Sequence, residues 1–210
     1  MNRYHFEQQL WKEGYEYIMG LDEVGRGCLA GPVVAAGVIL KPGSRLPEKV
    51  IDSKQMKDHD RRELAEIIKG KASAYVIKEG SLKLIEEKNI LWASLLTMQK
   101  CVEHSSPSPD YLLIDGNRYL PTILPHLTLT KGDDRSISIA AASILAKVYR
   151  DDLMIQLHEE FPHFGWDTNV GYATKKHYAG LTEHGITRHH RRGFNLKTEK
   201  EFDEKTISGT

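Results

Sequence analysis

Residues 17–40 decide the fold; they read YIMGLDEVGRGCLAGPVVAAGVIL. Two apolar runs, 17–22 and 33–40, lie on either side of a glycine-bearing turn, Gly25-Arg26-Gly27. Apolar runs of this length, bounded by glycine and proline, are typical of β-strands. Because the connection between them is short, we expect the two strands to pair as an antiparallel hairpin.

Helices and strands alternate in the rest of the chain. Apolar residues recur at helical spacing in several segments, and short apolar runs end in turn residues in others. The predicted helices cover residues 3–14, 58–70 and 81–104, with a long one starting near Ser136; the predicted strands cover 74–77, 111–115 and 126–130. This order predicts an α/β protein with a mixed β-sheet flanked by helices.

The overall charge does not indicate a nucleic-acid-binding protein. The 210 residues include 29 Lys and Arg and 29 Asp and Glu, so the formal net charge is zero. Residues 171–200, in contrast, contain seven Lys and Arg against two Glu. The sequence therefore predicts a local phosphate-binding surface in this segment, although a basic solvated tail would have the same composition.

Composition also bounds the class of protein. There are two cysteines and no zinc-finger spacing, which disfavours a disulfide framework. The polar start does not resemble a signal peptide, and no apolar run is long enough to span a membrane. We expect a cytoplasmic monomer with one domain over residues 1–210, in which about 160–200 form a helical, basic C-terminal extension.

Four acidic residues occupy positions that suit a metal site. Asp22 and Glu23 close the first strand, Asp115 ends an apolar strand, and Asp133 lies between a strand and the long helix. A carboxylate at a buried strand end is costly unless a cation or hydrogen-bond donors meet it. Hard divalent cations such as Mg²⁺ prefer oxygen ligands of this kind.

Each of the four also has an ordinary structural explanation. Asp133 could cap the long helix, and Asp115 with Gly116 could form a simple turn. Asp22 and Glu23 could belong to a solvated turn at the strand end. Position alone does not decide between these alternatives.

Longer motifs around these residues resemble the ribonuclease HII family, also called type 2 ribonuclease H. The resemblance runs in order over roughly residues 18–195, and its motifs are GLDEVGRG (20–27), LAGPVV (29–34), DSK (52–54), IDG (114–116), KGD (131–133), SIAAASILAKV (138–148) and GYAT (171–174) with His177. Several long motifs in one order are far more specific than any one of them. Type 3 relatives usually lack the arginine found here at Arg26.

The resemblance implies a ribonuclease H-like fold and the roles of individual residues. The implied catalytic, metal-binding carboxylates are Asp22, Glu23, Asp115 and Asp133. The turn Gly25-Arg26-Gly27 would meet the ribose 2′-hydroxyl, and Tyr172 would contact the sugar on the 3′ side. Further candidates for substrate binding are Ser53, Lys54, Ser143 and Lys147.

Alternatives remain for these substrate-binding residues. Without the motif, Tyr172 would be taken for a half-buried core tyrosine and Arg26 for part of a surface ion pair. Lys147 lies off the apolar stripe of its helix and could simply face solvent.

The resemblance implies an endoribonuclease that uses Mg²⁺ or Mn²⁺. Its substrates would be RNA/DNA hybrids and DNA duplexes containing ribonucleotides, cleaved with two metal ions on the 5′ side of a ribonucleotide to leave 3′-hydroxyl and 5′-phosphate ends. Two alternatives stay open: another metal-dependent nuclease of the same fold, and a non-catalytic module that binds hybrids.

Overall fold

The computed structural model describes residues 3–47, 50, 56–194 and 196. Its sheet has five strands in the order β3-β2-β1-β4-β5. The strands are β1 (Ile18–Val24), β2 (Val33–Leu40), β3 (Ala72–Gly80), β4 (Tyr111–Asp115) and β5 (His126–Leu129). The helices are α1 (His5–Lys12), α2 (Asp58–Lys71), α3 (Leu82–Glu103), α4 (Ile137–Glu160), α5 (Trp166–Asn169) and α6 (Lys175–His184). The predicted mixed sheet flanked by helices is confirmed.

The first three strands form an antiparallel meander. β1 pairs with β2 so that Asp22 lies opposite Ala36, and β2 pairs with β3. The predicted hairpin is therefore confirmed, with one difference. β1 continues to Val24, so Asp22 and Glu23 lie within the paired strand rather than at its last residue.

The other half of the sheet is parallel. β4 pairs with β1 in parallel, with Ile114 opposite Leu21, and β5 pairs with β4 in parallel, with Leu129 opposite Asp115. Three adjacent strands therefore run in the same direction, and their carboxyl ends meet at one edge of the sheet. Loops open to solvent at such edges, which is why functional sites collect there.

Helices α3 and α4 cover opposite faces of the sheet. α4 packs so closely on β1 that a Cβ at Gly20 would lie 2.2 Å from the backbone carbon of Ser138. The sequence pattern indicated a single buried stripe on α4, but Ser138, Ala142 and Ala146 outside that stripe are also buried. Ser138 lies against Gly20 of β1, and its hydroxyl donates to the buried Glu7 of α1 at 2.6 Å, while α2 and α5 also pack on this helix.

Helix α3 differs from its prediction in one detail. Its backbone leaves the helical region at Asn89, where φ is 66°. The Asn89 side chain then accepts hydrogen bonds from the backbone N–H groups of Leu91 and Trp92, at 3.0 and 3.2 Å. Asn89 thus caps the second part of α3, which is an ordinary way to restart a helix.

Candidate active site

The parallel pairing of β1 and β4 brings two carboxylates to neighbouring positions. Leu21 lies opposite Ile114, and the next residue on each strand is Asp22 and Asp115. Asp22 is buried, with 6% of its surface exposed. Two of the four predicted carboxylates therefore lie side by side because of strand register alone.

Asp133 lies in the segment between β5 and α4. It lies in a 3-10 helix, Gly132–Asp134, and is also buried. The Gly132 N–H donates a hydrogen bond of 2.6 Å to Oδ1 of Asp115. This contact ties the backbone next to Asp133 to the carboxylate at the end of β4.

Glu23 points differently because side chains alternate along a strand. With Asp115 and Arg26 it lines a small pocket against α3, and its Oε1 is 3.1 Å from Nη1 of Arg26. This ion pair is the surface contact that was left open for Arg26, whose side chain is 49% exposed.

The carboxylates repel one another electrostatically. The pKa of Asp22 is raised well above its ordinary value, first by burial and then by the negative charges of Glu23 and Asp115. Burial also raises the pKa of Glu23, against the opposing effect of Arg26. A hydroxyl contact from Ser143 and the Glu23 N–H only partly offset the cost at Asp22.

The side chains do not form a ready-made metal cage. Across the described ranges, no three His, Cys, Asp or Glu residues are grouped so that they could hold a metal ion. Strand alternation and the ion pair with Arg26 both direct Glu23 away from Asp22, which accounts for part of this result.

An open cleft of about 300 Å³ adjoins Glu23. Its lining includes three predicted substrate-binding residues, Ser143, Lys147 and Tyr172. Ser143 and Lys147 are four residues apart on α4, so they lie one turn apart on the same side of the helix. Lys147 is not simply solvated, because its Nζ lies 2.7 Å from Oδ1 of Asp151 and its side chain is 31% exposed.

The predicted turn at residues 25–27 lies beside Tyr172. Gly25 has a φ of +89°, and a Cβ there would meet the Arg150 side chain at 2.1 Å, so only glycine fits. A Cβ at Gly27 would lie 3.9 Å from Cε1 of Tyr172, whose surface is 41% exposed. The turn and the tyrosine therefore face one region of the cleft.

Two of the predicted residues, Ser53 and Lys54, lie outside the described part of the chain. Three further residues line these cavities and were not singled out in the sequence analysis. Asn117 and Arg118 line the small pocket with Asp115, and Arg61 lines the cleft. Asn117 and Arg118 directly follow the IDG motif, so their position in the sequence could have indicated them. No sequence pattern indicated Arg61, which lies on α2.

The basic C-terminal segment is less available than its composition indicated. Arg191 is buried and donates to the carbonyl oxygens of Gly31 and Arg26, at 2.8 and 3.0 Å. Arg188 pairs with Glu160. Part of the predicted phosphate-binding charge therefore anchors the segment to the rest of the protein.

Comparison with known proteins places the chain in a family. The family model described as ribonuclease HII matches residues 19–197. The chain belongs to the ribonuclease HII family. It is 47% identical over 194 residues to ribonuclease HII of Salinibacter ruber, covering 90% of this chain and 96% of that protein. It is 52% identical over 179 residues to ribonuclease HII of Bacteroides thetaiotaomicron, covering 84% and 88%.

Solved structures show the same fold. Ribonuclease H2 from Pyrococcus horikoshii OT3 superposes with a TM-score of 0.75 at 22% identity, over 90% of this chain and 98% of that one. Ribonuclease HII of Archaeoglobus fulgidus, solved in complex with PCNA, gives 0.75 at 28% identity, over 89% and 99%. Bst-RNase HIII, solved with Mn²⁺, gives 0.60 at 21% identity, over 81% and 63%.

Membership of this family establishes the general activity. Ribonuclease HII proteins are metal-dependent ribonuclease H endonucleases that act on nucleic-acid hybrids, and the chain is therefore an endoribonuclease of this type. Among the helices that the structure describes, none has the length and hydropathy needed to cross a membrane.

Proposed function

We propose that this member of the ribonuclease HII family hydrolyses the phosphodiester on the 5′ side of a ribonucleotide paired with DNA. Its substrates would include single ribonucleotides embedded in a DNA duplex as well as RNA/DNA hybrids. The products would carry 3′-hydroxyl and 5′-phosphate ends, and the physiological role would be removal of ribonucleotides from DNA.

The observation that carries the proposal is the crowding of negative charge at one edge of the sheet. Asp22 is buried beside Glu23 and Asp115, and the pKa of Asp22 is raised by all of these effects. A bound divalent cation would offset both the repulsion and the desolvation. In charge and donor chemistry, the residues therefore fit a hard divalent metal such as Mg²⁺ or Mn²⁺.

We propose that Asp22, Glu23, Asp115 and Asp133 hold two such ions, with Asp22 contributing to both. When bound, the ions would supply an activated water and stabilise the departing oxygen. Among the described residues, no three acidic, His or Cys side chains are close enough to hold a metal ion. We therefore propose that Glu23 gives up its ion pair with Arg26 when the metal binds. Ser143, whose hydroxyl meets Asp22, would keep that carboxylate oriented during the exchange.

The substrate would lie in the cleft beside the carboxylates. The backbone of Gly25-Arg26-Gly27 can approach a sugar edge closely because two of its residues are glycines. The ribose 2′-hydroxyl is the group that distinguishes RNA from DNA there. Tyr172, against Gly27, would pack on the next sugar, where deoxyribose fits better than ribose. Lys147 would contact phosphate, as would Ser53 and Lys54.

A cleavage map on defined duplexes tests the proposal. The substrates are an all-DNA duplex, a duplex with one ribonucleotide and an RNA/DNA hybrid, each with Mg²⁺, with Mn²⁺ and with a chelator. We expect metal-dependent cleavage of the last two, with the single cut on the 5′ side of the lone ribonucleotide. Comparable cleavage of all-DNA duplex would favour the alternative of a general nuclease of the same fold.

A non-catalytic module that binds hybrids would cut none of the three duplexes under any of these conditions. One domain, a monomeric state and a cytoplasmic location complete the proposal, and gel filtration coupled to light scattering checks the second of these.

A further inference from the structure

The backbone of Tyr172 is hydrogen-bonded to a buried histidine, His177. Its backbone carbonyl oxygen lies 2.9 Å from Nδ1 of His177, and its N–H donates to the Asn169 carbonyl oxygen at 2.8 Å. His177 has no exposed surface and does not line the cleft. We infer that His177 is a positioning residue for Tyr172, acting through that carbonyl; the inference rests on the proposed role of Tyr172.

The direction of this hydrogen bond follows from a neighbouring tryptophan. Nε1 of Trp166 lies 3.2 Å from Nε2 of His177, and an indole N–H can only donate. His177 must therefore accept at Nε2, which places its proton on Nδ1. That N–H then donates to the carbonyl oxygen of Tyr172, and the contact is a true hydrogen bond.

A second histidine completes the chain of hydrogen bonds. Nε2 of His190 lies 3.1 Å from the same Nε2 of His177, so a neutral His190 that carries its proton there shares the one lone pair of that atom with the Trp166 N–H. The Nδ1 of His190 is then free to accept, and the Thr187 N–H donates to it at 2.9 Å. Every donor thus meets an acceptor, but only when both imidazoles are neutral.

The neutral state is the one that burial favours. His177 and His190 are 0% and 3% exposed, and burial is the main cause that lowers the pKa of each, for His190 to about 4. Phe164 and Trp166 stack at 5.0 Å and enclose the two rings, so the imidazoles cannot easily rotate.

The same series of hydrogen bonds extends to Leu29 and Ala30, just after the turn proposed to meet the ribose. His190 forms a bridge with Ala30, and the Leu29 N–H donates to the Gly171 carbonyl oxygen at 2.8 Å. The backbone at Tyr172 is therefore fixed relative to Leu29 and Ala30. A tyrosine that must distinguish two sugars needs this kind of fixed support, since displacements of about 1 Å are costly in catalysis.

Protonation of the two rings can be read directly in the wild-type protein. Long-range ¹⁵N–¹H correlation spectra of ¹⁵N-histidine-labelled protein at pH 7.5 distinguish the two neutral forms. We expect the Nδ1–H form for His177 and the Nε2–H form for His190. An Nε2–H form or a charged ring at His177 would overturn the inference, whatever the substrate preference proves to be.

Variants then test the effect on specificity. His177→Leu removes the donor, whereas His177→Asn keeps an N–H near the position of Nδ1; His184→Asn, on the same helix, is the matched control. For each we compare cleavage of the single-ribonucleotide duplex with that of the RNA/DNA hybrid, alongside the melting temperature. We expect His177→Leu to lower this ratio about tenfold, and the two Asn variants to stay within about twofold of wild type.

A double variant separates positioning from a general structural effect. If His177 acts through Tyr172, adding His177→Leu to Tyr172→Ala should change the ratio by less than about twofold further. Independent, multiplicative losses would overturn the inference, as would an unchanged ratio in a folded His177→Leu protein. If His177→Leu does not fold, the tautomer spectrum decides.

Failure of the proposed function gives a different result. Wild-type protein would then not cleave at a lone ribonucleotide, while the spectrum would still show whether His177 holds the Tyr172 backbone.

Discussion

Asp22 and Arg150 are both ionisable and both buried, but their surroundings differ. Arg150 donates from all three of its nitrogens to the backbone oxygens of Pro32, Val170 and Ala30, at 2.7 to 3.1 Å. Asp22 instead lies among other carboxylates, with a hydroxyl and one N–H as partners. A buried charge whose partners are complete indicates a structural role, and one left in conflict indicates a site that awaits a ligand.

The largest expected effect is on catalysis at the sheet edge. Asp115→Asn removes one negative charge but keeps the shape, so the fold should survive and the metal should be held poorly. We expect cleavage of the single-ribonucleotide duplex to fall by about 10³-fold or more. A melting temperature at or above that of wild type would show that the loss is not due to unfolding. Cleavage at the wild-type rate would contradict the role of Asp115.

Replacing Arg150 tests the contribution of its buried charge to stability. Arg150→Met leaves three buried carbonyl oxygens without their donors, and we expect the free energy of unfolding in urea to fall by about 3 kcal/mol. Arg62→Met is the matched control, because Arg62 forms only partly exposed ion pairs with Asp58 and Asp152. Its loss should cost less than about 1 kcal/mol. Equal losses would contradict the contrast drawn for Arg150.

Lowering the pH should reduce the free energy of unfolding, because His190 is buried in its neutral form. The pKa of His190 is lowered to about 4 by burial and by the nearby His177 and His189, against a Thr187 contact that raises it. In the unfolded chain His190 therefore binds a proton near pH 6.5, whereas in the folded chain it does so only near pH 4. Stability should be full above about pH 6.5 and should fall by about 2 kcal/mol as the pH drops toward 4.

Urea unfolding at several pH values measures this slope. The contribution should be smaller in His190→Gln, and a variant with the wild-type slope would show that other groups cause it.

Tyr172→Ala should have a smaller and more selective effect. Removing a ring that packs on one sugar leaves the metal site intact, so we expect roughly a tenfold loss at a single ribonucleotide. Rates on the hybrid and on the single-ribonucleotide duplex, measured side by side, check this. Tyr178→Phe, on the neighbouring helix, is the control, and an unchanged rate in Tyr172→Ala would remove its proposed role.

The smallest effect is expected at Arg26. Its ion pair with Glu23 is half exposed, so Arg26→Ala should change the free energy of unfolding by less than about 0.5 kcal/mol. Since the proposed contact of the turn with ribose uses its backbone, substrate preference should also remain. A lost preference would show that the Arg26 side chain itself reads the substrate.

The sequence could predict what depends on local pattern. Apolar runs and glycine turns predicted the hairpin, and the end of an apolar run predicted where Asp115 lies, whereas β1 continues two residues beyond Asp22. It could not show that Arg150 and Arg191 are buried, because arginine at helical or loop spacing usually indicates solvent. Their partners are carbonyl oxygens more than a hundred residues away in the chain for most contacts, which no local pattern reveals.

The family resemblance predicted the four carboxylates, but only the structure gave their relative orientation. Alternation along β1 sends Glu23 to Arg26 while Asp22 faces Ser143. The predicted strand ended at Asp22, so alternation was not applied to Glu23, which the structure places inside β1.

Titration of the folded protein with Mn²⁺, followed by electron paramagnetic resonance of the free ion, tests the central claim most directly. We predict that wild-type protein removes Mn²⁺ from solution, that Asp22→Asn and Asp115→Asn largely lose this binding, and that Asp134→Asn, next to Asp133, keeps it. Equal binding by wild type and both sheet-edge variants would contradict the account.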